Sequence, residues 1–356
     1  VKKSLLALAV LASFASAASA QSSVTMYGLV DAGIAAERGG AAGSITKLAT
    51  GVQQGNRLGF KGTEDLGSGL KANFQLESGF DLDTGVGRQG ALFGRQAFVG
   101  LSGNFGAANL GRQYDPIFVS MDTIDPFSTG LTGATTNLMN PGNVRTNNSV
   151  TYTTPNFQGF SATVLYGAGE QAGDSSKGRT IGGSVDYVNG PVVLTLAYDK
   201  VNVMPVTPTA TALADGLANK KLILVGGTYN FGPVKLHAAY ESDKSDARTN
   251  ANFLAADTAK DFRDYMIGVS APIGVGTLMA SYIDKNDRTN QALGGKQMAI
   301  GYSHPVSKRT SFYTSYGYID NDTNGTNTVG DASSGGSKPA AGHSSSALAV
   351  GVRHKF

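Results

Sequence analysis

Apolar and polar side chains alternate along most of this chain with a period of two, the repeat of a β-strand with two unlike faces. The clearest run is 70–81. Leu70, Ala72, Phe74, Leu76, Ser78 and Phe80 share one face, and Lys71, Asn73, Gln75, Glu77, Gly79 and Asp81 share the other. Phe160, Ala162, Val164 and Tyr166 repeat the pattern, as do Val192, Leu194, Leu196 and Tyr198, and Val234, Leu236, Ala238 and Tyr240. It predicts strands over 23–36, 54–64, 69–81, 92–102, 105–114, 145–154, 158–168 and 179–189. The second half adds 192–202, 220–231, 233–243, 261–271, 275–285, 295–304, 309–320 and 344–356, sixteen in all. Segments of roughly ten residues are long enough to cross a bilayer when tilted. The last strand puts Leu348, Val350, Val352, His354 and Phe356 on one face and stops on the aromatic residue. In an open sheet such a strand would leave an exposed edge. Pairing with the first strand would remove it, so the expected fold is a closed barrel.

The connections alternate between two kinds. Tight ones fall at 104–106, 155–159, 189–191, 230–233, 272–276 and 304–308, where Gly supplies positive φ and Pro fixes φ. Long polar ones fall at 37–53, 82–91, 115–144, 169–178, 203–219, 244–260, 286–294 and 321–343. Short periplasmic turns and long external loops are the asymmetry of bacterial outer-membrane barrels. A propeller or a soluble sandwich predicts no such alternation. Strands near 92–114 alternate poorly, which fits a wall packed against another subunit.

Composition sharpens this picture. Residues 1–20 read as a secretory leader: Lys2 and Lys3 are followed by an apolar run from Leu5 to Phe14 and by Ala18-Ser19-Ala20 before Gln21. The apolar run is too short for a spanning helix, and no long apolar run follows it. The expected division is therefore a leader over 1–20 and a barrel over 21–356. The formal net charge is +3, and removing two lysines with no acid leaves +1. That near-neutral balance gives no electrostatic case for nucleic acid. Cysteine is absent, which excludes disulfides and thiolate metal sites.

Four stretches together resemble the general diffusion porins of β-proteobacteria, within the Gram-negative porin family. They are Val24 to Gly33, Arg57 to Gly67 with Gly69 to Ala72, Arg95 to Leu101 with Gly106 to Gln113, and Gly351 to Phe356. The resemblance implies a sixteen-stranded, all-β transmembrane barrel in the bacterial outer membrane. It also implies a homotrimer, set among outer-membrane lipid and lipopolysaccharide, whose third long loop folds inward to narrow the pore. Such a protein passes ions and small hydrophilic solutes passively and needs no cofactor.

In a barrel this wide, permeation depends on the narrowest cross-section and on the fixed charge there. The constriction is expected in the longest early loop, about 115–144. That loop carries Asp115, Asp122 and Asp125 and is stiffened by Pro116, Pro126 and Pro141. Arg57 lies opposite in phase to Leu58 and Phe60. Arg145 shares its phase with Asn147 and Ser149, while Val150 and Tyr152 point outward. Arg95 fits less cleanly, because Ala97 and Val99 share its phase. The resemblance supports all three arginines as a basic cluster on the pore wall; Lys61 and Lys71 are second-rank candidates, and Glu77 points into the same lumen. The expectation is a positive eyelet that favours anions.

Other motifs carry less. Gly85-Val86-Gly87-Arg88-Gln89-Gly90 has nucleotide-loop spacing but no strand–turn–helix around it. Asp320, Asp322 and Asn324, with Asp331 further on, resemble a calcium loop without its helices. His237, His304, His343 and His354 show no metal spacing. An outer-membrane barrel enzyme would need a nucleophile and a base, and no Gly-x-Ser-x-Gly is present. A substrate-specific channel or a surface adhesin is the remaining alternative. Tyr and Phe fall mostly on the outward phase, where they suit the membrane–water belts rather than a sugar track.

Overall fold

The structure, a computed structural model, describes residues 23–202, 219–246, 259–330 and 338–356. The expected leader, most of the loops 203–219 and 244–260, and Asp331 lie outside the described residues. The strands are β1 (Ser23–Arg38), β2 (Ile45–Thr50), β3 (Arg57–Gly67), β4 (Leu70–Gly79), β5 (Gln96–Gly103) and β6 (Gly106–Tyr114). They continue with β7 (Arg145–Thr153), β8 (Phe160–Gly167), β9 (Thr180–Asn189), β10 (Val192–Val201), β11 (Lys220–Asn230) and β12 (Lys235–Ser245). The last are β13 (Lys260–Ile273), β14 (Gly276–Asp287), β15 (Gly295–Pro305), β16 (Thr310–Asn321) and β17 (Ser345–Lys355). Neighbours pair antiparallel around the ring, and β1 closes on β17 from Leu29↔Lys355 to Arg38↔Ser346. Phe356 extends the seam: Gly28 donates to its carbonyl at 3.0 Å, and its own N–H donates to Gly28 at 3.1 Å. A Cβ at Gly28 would stand 2.1 Å from the Phe356 ring, so the ring needs that glycine beneath it.

β2 corrects the sequence reading, which places 45–50 inside the first long loop. The alternating segment Ile45–Thr50 pairs with the upper half of β1, Ala32–Glu37, while β3 pairs with the lower half, Ser23–Leu29. β2 and β3 are thus one interrupted wall strand, and the barrel has sixteen staves. Residues 51–56 leave the ladder between them, and Asp31 replaces the missing backbone partners. Its carboxylate accepts from the N–H groups of Gln53 (2.9 Å) and Gln54 (2.8 Å) and from the Tyr313 hydroxyl (2.6 Å). Asp31 is fully buried, and buried backbone N–H groups require such acceptors.

The outer face is apolar: Val24, Met26, Leu194, Leu196, Val225, Ile267, Ile300 and Val350 are all exposed. The buried core lies inside the barrel, between the wall and the loop after β6. That loop opens with α1 (Pro116–Ile124). Asp115 caps it, accepting from the Ile117 N–H at 3.4 Å, and Pro116 occupies the first turn, where no N–H partner is needed. Ile117, Met121 and Ile124 pack with Leu138 and Met139 against Leu222, Leu224, Met266, Ile283 and Ile319 of the inner wall. Gly226 lets the helix approach, since a Cβ there would fall 2.3 Å from Ile124 Cδ1. Gly226→Val should lower the thermal stability of the detergent-solubilised barrel by about 1–3 kcal/mol through overpacking. An unchanged melting curve would show that the helix is not seated on that wall.

Candidate pore constriction

The loop between β6 and β7 folds into the barrel and is tied to the wall along its length. The Leu131 N–H donates to the Val52 carbonyl at 2.6 Å, and the Thr132 N–H donates to Ser315 Oγ at 3.2 Å. Gln297 Nε2 donates to the Gly133 carbonyl at 3.1 Å, and the Asn140 N–H donates to Glu241 Oε1 at 2.7 Å. His237 Nδ1 meets the Ile124 carbonyl at 2.8 Å.

Opposite α1, the loop leaves a lumenal cavity of about 600 Å³. Arg57, Arg88, Arg95 and Arg145 line it with Asp122, Glu37, Tyr114 and the 53–55 segment. Tyr114, stacked on Phe118 at 5.4 Å, organises the cations. Its hydroxyl accepts from Arg95 Nη2 at 2.6 Å and from Arg145 Nη2 at 2.8 Å, and the Arg145 guanidinium lies 4.4 Å from its ring centroid. Arg57 is held at the neck by its Nε bond to the Gly55 carbonyl, 3.0 Å. Gly55 also leaves room for Arg95, whose Nη1 would stand 3.0 Å from a Cβ at that position.

The carboxylates divide. Glu77 is 2% exposed and braces the cluster from behind, accepting from Arg95 Nε at 2.8 Å and from the Tyr27 hydroxyl at 2.9 Å. Glu37 pairs with Lys47 at 2.9 Å, and Arg88 pairs with Asp81. Asp122 is half-buried on the pore side of α1 and accepts from Thr129 Oγ1 at 2.7 Å. Burial raises its carboxyl above the usual range, against the Thr129 bond and the nearby Arg57 charge.

The structure thus brings Arg57, Arg95, Arg145 and Asp122 together around one opening. Asp125 is elsewhere: it is buried behind the loop, where its carboxylate accepts from the N–H groups of Phe127 (2.9 Å), Thr129 (3.0 Å) and Thr135 (2.9 Å). Burial outweighs those donors and pushes its carboxyl up to about 6. Asp115 is likewise buried as the helix cap. Lys61 sits lower in the lumen, its ammonium 5.3 Å from the Tyr27 ring, and Lys71 lies next to the turn that starts β4. Asp320 is the last residue but one of β16, paired opposite Lys296, and no metal-binding group of three His, Cys, Asp or Glu occurs among the described residues.

Two departures from strict alternation explain the difficult arginines. Arg95 precedes β5, so the phase of Ala97 does not bind it, and its N–H donates to the Glu77 carbonyl at 3.1 Å. Arg145 stands before an irregularity in β7. Asn148 has φ of 50°, and the register slips where Gln113 pairs Thr146 but Gly111 pairs Ser149. Asn147 is turned out to Arg112 and does not share the lumenal phase of Ser149. Sequence reasoning passed over Tyr114 and Arg353. Arg353 donates to Gln54 Oε1 at 3.2 Å, and its phase opposite Val352 was the available signal.

Three comparisons bear on this geometry. The family model of Gram-negative porins matches residues 7–324. Outer membrane porin protein 32 of Delftia acidovorans is 36% identical, with both chains covered in full. A porin of Bordetella pertussis is 34% identical over the same full coverage. Among solved structures, an anion-selective porin from Comamonas acidovorans superposes with a TM-score of 0.80 at 34% identity, covering 94% of this chain and 100% of that one. With sixteen closed staves, an inward third loop and a full-length match to these relatives, the chain belongs to the Gram-negative porin family and is an outer-membrane porin.

Proposed function

We propose that this porin is a passive channel for ions and small hydrophilic solutes that favours anions, with no catalytic role. The observation that carries the reading is the set of guanidinium groups on the cavity wall. Glu77 is spent on Arg95 and Tyr27, and Asp81 on Arg88. Arg57 and Arg145 then line the same cavity as Asp122 and Glu37, of which Glu37 is paired with Lys47. Arginine keeps its charge at any relevant pH. The anion-selective relative from Comamonas acidovorans supports the same sign.

The test is a reversal potential in a planar bilayer under a salt gradient. Stepwise conductance with an anion-sided potential is expected, and a cation-sided potential would overturn the selectivity. The preference should also strengthen on acidification. Burial raises the Asp122 carboxyl above the ordinary carboxylate range, so acidification neutralises this lumenal acid at a higher pH than an ordinary carboxylate. Asp122→Asn should flatten this pH response in the same recording.

The leader over 1–20, the barrel over 21–356 and a homotrimeric assembly complete the reading. One feature of the β6–β7 wall favours a covered face. Arg112 pairs opposite Ala97, and Ala97 pairs opposite the outward Leu76. A guanidinium facing hydrocarbon is costly, whereas a second copy of the chain can cover it. Lipopolysaccharide and other outer-membrane lipids would surround the rest.

A further inference from the structure

Cross-strand pairing puts three lysines in one row on the outside of the barrel. Lys200 on β10 pairs directly opposite Lys221 on β11, and Lys221 directly opposite Lys244 on β12. Their chain neighbours Asp199, Leu222 and Asp243 are buried on the inner side, so the lysines point outward. Arg263 lies one strand further, opposite Ser242. Like charges directly opposite on a sheet face repel. Among the described residues only Asp261 answers them, pairing with Lys244 at 3.1 Å and with Arg263. Neither Lys200 nor Lys221 has a carboxylate partner among the described residues.

The height of the row is fixed by β10. Its outward side chains are Val192, Leu194, Leu196, Tyr198 and Lys200. A run of about nine residues crosses the hydrocarbon when tilted. Lys200 therefore emerges at the headgroup level on the side of the long loops, the outer leaflet. Below the row, past one tier of outward side chains (Tyr198, Ile223, Ser242 and Arg263), the same strands form an apolar groove of about 990 Å³. Gly227 and Ala238, paired opposite each other, face it between Leu194, Val225, Tyr240 and Ile267. Gly227 keeps it open, since a Cβ there would stand 2.7 Å from Leu194 Cδ2.

We propose that this wall is a binding site for a phosphorylated lipid of the outer leaflet. Its headgroup phosphate lies across Lys200, Lys221, Lys244 and Arg263, and one acyl chain fills the groove. The charge row alone would suit any phosphate. The apolar groove further down the same strands, at the depth of the acyl chains, selects a lipid. The proposal rests on the outer-membrane setting of the barrel and not on the sign of its selectivity.

The test uses the purified full-length protein in detergent and native mass spectrometry with bis-phosphorylated lipid A. The comparison ligands are dephosphorylated lipid A and inorganic phosphate. The variants are the combined Lys200→Gln, Lys221→Gln, Lys244→Gln and the single Ala238→Trp. The phosphorylated lipid should bind the lysine variant about tenfold or more weakly, and Ala238→Trp several-fold more weakly. Dephosphorylated lipid A should bind wild type and the lysine variant alike. Equal binding of the phosphorylated lipid by wild type and the lysine variant would overturn the site. Displacement of the lipid by equimolar inorganic phosphate would mark a free-anion site instead, and full binding by Ala238→Trp would remove the groove from it. Both variants lie outside the pore, so wild-type conductance checks their folding and keeps this test separate from the channel reading.

Discussion

Arg57→Ser combined with Arg145→Ser should abolish the anion preference. Among the described residues these two arginines of the cluster form no salt bridge, their guanidinium groups bonding the Gly55 carbonyl and the Tyr114 hydroxyl. A unit charge acting across ~4 Å in water-like surroundings is worth about 1 kcal/mol. Two such charges, attracting anions and repelling cations together, correspond to a change of at least about tenfold in the anion-to-cation permeability ratio. The reversal potential under a salt gradient should move to zero or beyond, with single-channel conductance retained. An unchanged potential would mean that the field arises elsewhere, with Arg353 and Lys61 the next groups to remove. Arg95→Ser is the less informative variant. It strands Glu77, which is buried against it, and truncating one partner of a buried pair destabilises by about 3–5 kcal/mol. Any change in selectivity would then be mixed with a folding defect.

Asp125→Ala should loosen the constriction while leaving the barrel closed. One carboxylate collects the N–H groups of Phe127, Thr129 and Thr135, so the turn after α1 depends on it. Each donor left buried without an acceptor costs about 1–3 kcal/mol, concentrated in a segment that is not part of the wall ladder. The expected result is noisy, larger single-channel currents and faster uptake of bulky sugars in liposome swelling. The migration of unheated protein in detergent gels should stay that of a folded barrel. Quiet wild-type currents from the variant would show that the contacts to Ser315, Gln297 and Glu241 suffice to hold the loop.

Much of the barrel was legible because alternation is a local property of the chain. The strand at 70–81, the seam strand ending on Phe356 and the alternation of turns with loops all follow from which neighbours are apolar. The short strand Ile45–Thr50 was missed because it is only six residues long and takes its place by pairing with β1. Part of the loop's seat also left a trace. In β11 both faces are apolar, Leu222 and Leu224 inward and Ile223 and Val225 outward. A purely wet lumen does not call for an apolar inner face, and here it is α1 that covers it.

The sequence by itself determined a closed antiparallel barrel with a long third loop and placed Arg57 on the lumenal face, because period and loop length are written residue by residue. Tertiary structure alone decided which charges remain free at the opening. Asp122 and Asp125 are three residues apart, yet one faces the pore and the other is consumed by backbone N–H groups. Arg95 and Arg145 escape the strand phase through a pre-strand turn and an irregularity, and they meet on Tyr114. Electrostatic function depends on pairing across strands that are far apart in the chain, and no local pattern encodes that pairing.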